Sequence, residues 1–136
     1  MSLKKIAVVD DSELLHRMYA LVLMRYCANG AAIVSARDGL QFLELLREHA
    51  DIDLVLLDVN MPRMGGLDVM RRLRSSARLP GMRVLMVSTA GREADVKEAV
   101  ALGASGYVTK PFNPSVLHER IEAMFPKADA PEGEVR

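Results

Sequence analysis

Five times along the chain, a short apolar run is followed by a longer stretch of helical period, and this alternation restricts the fold more than any other feature. The strand-length runs are residues 5–9 (KIAVV), 31–35 (AAIVS), 53–57 (DLVLL), 83–87 (RVLMV) and 105–109 (SGYVT). Between them, Leu14, Leu15, Met18, Leu21 and Val22 are expected to share one helical face. Leu40, Leu43 and Leu46 do so in a second helix, and Leu67, Met70 and Leu73 in a third. Val96, Ala99 and Val100, followed by LGASG, mark a fourth helix with a glycine stop. A fifth is expected from about Pro114 to Phe125, with proline in its first turn. Strands apolar on both parities need cover on both faces, so the pattern implies a parallel sheet between two helix layers. No internal repeat or interior linker interrupts it. The expected division is one domain over residues 1–125 and a flexible polar tail over 126–136 (PKADAPEGEVR).

Composition narrows the function classes. Eighteen basic residues balance eighteen acidic ones, so net charge points neither to nucleic acid nor to a membrane surface. The single cysteine, Cys27, excludes an internal disulfide and a multi-cysteine metal site, and is expected to be a small core hydrophobe late in the first helix. No apolar run reaches the ~20 residues of a membrane span, and the N-terminus is not a signal peptide, so the expected location is cytoplasmic.

In a sheet of this kind, ligands bind outside the carboxyl ends of the strands. The first run ends at Asp10-Asp11, the third at Asp58, the fourth at Ser88-Thr89 and the fifth at Lys110. Each has a plain alternative: Asp10, Asp11, Ser88 or Thr89 can cap a helix, Asp58 can form a turn before Pro62, and Lys110 can be solvated. None of these explains why all of them coincide on one sheet edge. Three crowded carboxylates repel one another, and a hard divalent cation such as Mg²⁺ removes that repulsion. The cation, an ammonium and a hydroxyl can together hold a phosphoryl group. Asp58 is then the candidate nucleophile, forming an aspartyl phosphate.

The segments VVDDS, LLDVNMPRMGGLDVMRRLR, VLMVSTA and GASGYVTKPF resemble the receiver domain of two-component response regulators, especially the chemotaxis type. The resemblance covers residues 4–125, with 30 positions from Asp58 to Ser88 and 22 from Ser88 to Lys110. It implies an α/β, flavodoxin-like (βα)5 doubly wound sandwich, with a five-stranded parallel sheet of order 2-1-3-4-5. It implies Asp58 as phosphoacceptor and a metal site of Asp10, Asp11, Asp58 and the backbone carbonyl of Asn60. Ser88 resembles the switch hydroxyl, Lys110 the phosphoryl-contacting lysine, Tyr107 the aromatic that rotates inward on activation, and Pro111 the family's cis proline. Further implications are Mg²⁺ as cofactor and a sensor histidine kinase or phosphotransfer protein as donor. An output protein or domain would dock on the surface of the fourth helix, fifth strand and fifth helix. The chain would be a signalling module without a separate turnover substrate, monomeric or weakly dimeric on phosphorylation.

Some positions depart from the family pattern. Serine at 88 stands where threonine is common, Gly65 where an acidic residue is usual, and His16 where arginine is frequent. Ala90 carries no polar side chain. These bear on the lifetime of the acyl phosphate rather than on its formation. A rival reading is an aspartyl-phosphate hydrolase of the haloacid dehalogenase type. That family needs an Asp-x-Asp in which the second aspartate is a general acid, and the amide of Asn60 cannot serve. A docking module that signals without phosphorylation is opposed by the complete set of reactive residues. Arg71, Arg72, Arg74 and Arg78 read as a solvated basic face of the third helix, and His16, His49 and His118 lack metal-ligand spacing.

Overall fold

The computed structural model describes residues 3–79 and 81–125. The expected tail over 126–136 lies outside them. In chain order the elements are β1 (Lys5–Val9), α1 (Glu13–Val22), α2 (Met24–Cys27), β2 (Ala32–Ala36), α3 (Gly39–Glu48) and β3 (Leu54–Asp58). They continue with α4 (Gly66–Ser75), β4 (Arg83–Thr89), α5 (Glu93–Ala101), β5 (Gly106–Lys110) and α6 (Pro114–Met124). All strand pairs are parallel, in the order β2-β1-β3-β4-β5. The fold is the flavodoxin-like doubly wound sandwich.

Strand parity builds two cores. Ala7, Val9, Val55, Leu57, Val84 and Met86 face one way and pack with Phe42, Leu46, Val69, Met70, Leu73 and Ala99 of α3, α4 and α5. Ile6, Val8, Leu54, Leu56, Leu85 and Val87 face the other way and pack with Tyr19, Val22, Leu117 and Ile121 of α1 and α6. Every residue of β3 is buried, as its unbroken apolar run requires. Fully burying one such side chain stabilises the fold by about 1.5–3 kcal/mol.

Four strands end later than expected, and in β3, β4 and β5 the difference matters for function. Asp58 belongs to β3 and pairs with Val87, while β4 runs on through Ser88 and Thr89, which pair with Thr109 and Lys110. Ladder hydrogen bonds therefore hold these reactive residues at the last strand positions rather than in loops.

The helix faces also need correction. The first helical stretch is broken after Val22 into α1 and the single turn α2. Burial on α1 centres on Tyr19 and Val22, so Leu14 is 74% exposed and Leu21 70%. Leu40 and Val100 are exposed too. Tyr19 wins the inner position because its ring stacks on Phe112, with centroids 5.8 Å apart. Cys27 is exposed, not a core residue, because it ends the α2 turn rather than continuing the buried face of α1. Arg78 lies beyond the end of α4. Arg71 is not merely solvated, since it bridges Asp68 on its own helix to Glu98 on α5.

Candidate functional site

Asp10 follows β1 directly, and its backbone N–H donates to the Ala36 carbonyl at 3.1 Å, extending the β1–β2 pairing by one step. The helix that follows is capped by Ser12, whose hydroxyl accepts from the Leu15 N–H at 3.2 Å. Capping by serine releases the acidic pair from that task. One Asp10 oxygen accepts from the Ser12 N–H at 2.8 Å, and the other from the Lys110 ammonium at 3.0 Å. His16 donates from Nε2 to the Asp10 carbonyl at 2.7 Å, fastening the acidic turn to α1. Asp10 is buried and Asp11 exposed.

Asp58 is 6% exposed, and its Oδ1 lies 3.3 Å from Lys110 Nζ. The chain leaves it through a tight turn: Val59 N–H donates to Val87 O, and Gly66 N–H returns to Val59 O at 2.9 Å. Only glycine fits at 66, because a Cβ there would stand 2.4 Å from the Asp58 carbonyl oxygen. Gly65 is the N-cap of α4 and offers no side-chain cap. Arg63, at φ 64°, donates from Nε to the buried Asp38 carboxylate at 2.8 Å and ties this turn to the start of α3. The peptide bond between Lys110 and Pro111 is cis.

One carboxylate oxygen from each of Asp10, Asp11 and Asp58 lies within 4.8 Å of the others. These are hard oxygen donors at the separation that one small divalent cation bridges, so the set fits Mg²⁺. Burial, and next the negative charge of Asp10, push the Asp58 carboxyl up to about 6 against the opposing pull of Lys110. Burial works to lower the Lys110 ammonium, but its hydrogen bond to Asp10 and the charges of Asp58 and Asp10 outweigh it and raise the group. Lys110 thus stays a cation beside a carboxylate held close to neutral pH.

A cavity of about 260 Å³ opens over these groups, lined by Asp11, Asp58, Val59, Asn60, Thr89, Arg92 and Lys110. A second, of about 450 Å³, adjoins it and is lined by Ser88, Thr89, Val96, Val100, Tyr107 and Thr109, among others. The structure therefore brings Asp10, Asp11, Asp58, Asn60 and Lys110 together. It sets the buried Ser88 in the neighbouring cavity with Tyr107, which is 46% exposed. Thr89 borders both. Neither Ser88 nor Thr89 caps α5, which starts at Glu93 with Arg92 as its N-cap and no side-chain cap.

Sequence reasoning passed over two residues near the site, Tyr19 and Arg92, and gave Thr89 no role beyond a possible helix cap. Tyr19 follows Met18 on the inward side of α1, and its phenol is pushed well up by burial and by the charges of Asp10 and Asp58. Thr89 is visible only as the second of two hydroxyls. Arg92 carries no local signal, because its approach depends on the turn between β4 and α5.

Comparison with known proteins agrees with this geometry. The family model "Response regulator receiver domain" matches residues 6–122. The chemotaxis protein CheY1 of Helicobacter pylori is 35% identical over 121 residues, covering 89% of this chain and 96% of that protein. The chemotaxis protein CheY of Pseudomonas aeruginosa is 35% identical over 125 residues, covering 92% and 98%. Among solved structures, the CheX–CheY–BeF3–Mg²⁺ complex from Borrelia burgdorferi is similar with a TM-score of 0.80 at 27% identity, covering 91% of this chain and 90% of that one. The Asp58 cavity, the sheet order and these likenesses agree: the chain belongs to the response regulator receiver domain family and is a CheY-like module of two-component signalling.

Proposed function

We propose that the protein is a phosphorylation-activated switch that takes a phosphoryl group from a phosphohistidine onto Asp58. The observation that carries this reading is the meeting of Asp58 with Lys110, Asp10 and Asp11 at one sheet edge, in a cavity with room for a phosphoryl group. An Asp58 oxygen attacks phosphorus, the O–P bond forms, and the N–P bond to the donor imidazole breaks. The imidazole nitrogen keeps the electron pair, and with a proton already on its other ring nitrogen the donor leaves as neutral histidine. Lys110 holds its ammonium toward the phosphoryl oxygens. Asp10, Asp11, Asp58 and the Asn60 carbonyl would hold Mg²⁺, which when bound offsets the carboxylate charge and shares that of the phosphoryl group.

The change then spreads by a two-state mechanism. The Ser88 hydroxyl donates to a phosphoryl oxygen and vacates part of the adjoining 450 Å³ cavity, and the Tyr107 ring turns into that space. The surface of α5, β5 and α6 changes shape and is read by an output protein or domain. The donor is a sensor histidine kinase or a phosphotransfer protein, and the setting is the cytoplasm.

Incubation with acetyl phosphate and Mg²⁺, followed by intact-mass and fragment-mass spectrometry, tests the acceptor. One phosphoryl group per chain on Asp58, absent from Asp58→Ala and abolished by a metal chelator, is the expected result. Labelling elsewhere, or sustained hydrolysis of a phosphomonoester without stable label, would overturn it.

A further inference from the structure

Arg92 is the second cation of the Asp58 cavity, and the phosphoryl-transfer machinery above does not use it. After β4 ends at Thr89, the loop turns at Gly91, whose φ of 91° favours glycine and whose surroundings are open. That turn returns the chain so that Arg92 becomes the N-cap of α5 while its side chain lines the cavity. Structurally, the residue is misplaced. N-caps favour Ser, Thr, Asp or Asn, whose oxygens accept from the first-turn N–H groups, and arginine has no acceptor. A guanidinium at a helix N-terminus also meets the positive end of the helix dipole.

Its charge is only partly compensated. Arg92 Nε lies 3.1 Å from an oxygen of Asp95 but makes no hydrogen bond, although that nitrogen is buried. Among the described residues Arg92 has no other ion pair, whereas Lys110 is engaged by both Asp10 and Asp58. The side chain is 41% exposed, so it stands at the cavity mouth rather than in its floor.

We infer that Arg92 is a specificity-determining residue that attracts anionic phosphodonors to the Asp58 cavity and favours donors whose leaving group is itself negatively charged. Any donor brings a phosphoryl group that Lys110 and the metal-binding carboxylates receive. A carboxylate leaving group adds negative charge at the mouth, where Arg92 stands, and a protonated amine leaving group does not. With acetyl phosphate, the Asp58 oxygen forms its bond to phosphorus as the bridging P–O bond breaks, and acetate departs with the electron pair. With phosphoramidate the P–N bond breaks and ammonia departs. The inference rests on Asp58 as acceptor.

The test is the rate of Asp58 labelling by acetyl phosphate and by phosphoramidate at low and moderate salt, with Mg²⁺, in the parent protein, Arg92→Ser and Arg92→Lys. Arg92→Ser should slow labelling by acetyl phosphate about tenfold at low salt, with a smaller loss for phosphoramidate, since removing a steering charge costs about this much. It should flatten the salt dependence, and Arg92→Lys should retain most of the parent rate. Because serine can cap α5, the melting temperature of Arg92→Ser should not fall, which separates a charge effect from damage to the fold. Equal losses with both donors, or rates within twofold of the parent, would overturn the inference. Absence of label at Asp58 in the parent would overturn the proposed function instead.

Discussion

Asp58 owes its behaviour first to burial and then to two opposed neighbours, Asp10 and Lys110. Its carboxyl stands at about 6 against an ordinary 3.8, so the folded protein binds this proton more tightly than the unfolded chain does. In metal-free protein, the penalty from this group is absent below about pH 4 and grows as pH rises to about 6. Urea unfolding across that range should therefore show falling stability from this site, and Asp58→Asn should remove the fall. At pH 7, metal-free Asp58→Asn should be more stable than the parent by about 1–3 kcal/mol, the energy that corresponds to a carboxyl raised from 3.8 to about 6 with Lys110 already opposing the rise. Adding Mg²⁺ should raise the midpoint of the parent more than that of Asp58→Asn, because the ion prefers three carboxylates to two. Equal shifts in the two proteins would count against a shared metal site.

At the scale of elements, the loops after β2 and β3 are clipped together. Asp38 caps α3 by accepting from Gln41 N–H at 2.9 Å and pairs with Arg63 across the gap, while Gly39 N–H donates to Met64 O. That first hydrogen bond, with help from Arg63, holds the Asp38 carboxyl below its usual range, so its stabilisation is present above about pH 4 and fades as pH falls below. Arg63→Ala should destabilise by about 1 kcal/mol, the modest scale expected when the guanidinium is mostly exposed, with the loss shrinking in acid. Gly66→Ala is the severer change. Its Cβ would overlap the Asp58 carbonyl, so a loss of about 2 kcal/mol or more in thermal unfolding is expected. Of these contacts the sequence showed none, only the helical period of Leu40, Leu43 and Leu46 and of Leu67, Met70 and Leu73 that follows each loop. The partner of Asp38 lies 25 positions away, and no periodicity reports such a contact.

Across the whole molecule, the Asp58 cavity and the Tyr107 surface are joined by β4, whose Ser88 and Thr89 sit between them. Beryllofluoride with Mg²⁺ should shift amide signals around Tyr107 and along α5, and Ser88→Ala should still bind the mimic but blunt the Tyr107 response. If Thr89→Ala rather than Ser88→Ala blunts it, the switch hydroxyl has been assigned one residue too early. The kinds of reactive group and their order along the chain could be read directly, because a parallel α/β sheet gathers the carboxyl ends of its strands on one edge. Apolar parity likewise predicted the two-faced core and all five strands to within two residues at each end. Through-space relations could not be read: the outward turn of Leu14 and Cys27, the Arg63–Asp38 pair, the approach of Arg92 and the raised Asp58 carboxyl. Burial and electrostatic coupling depend on which distant segments pack together, and that is settled only when the helices dock on the sheet.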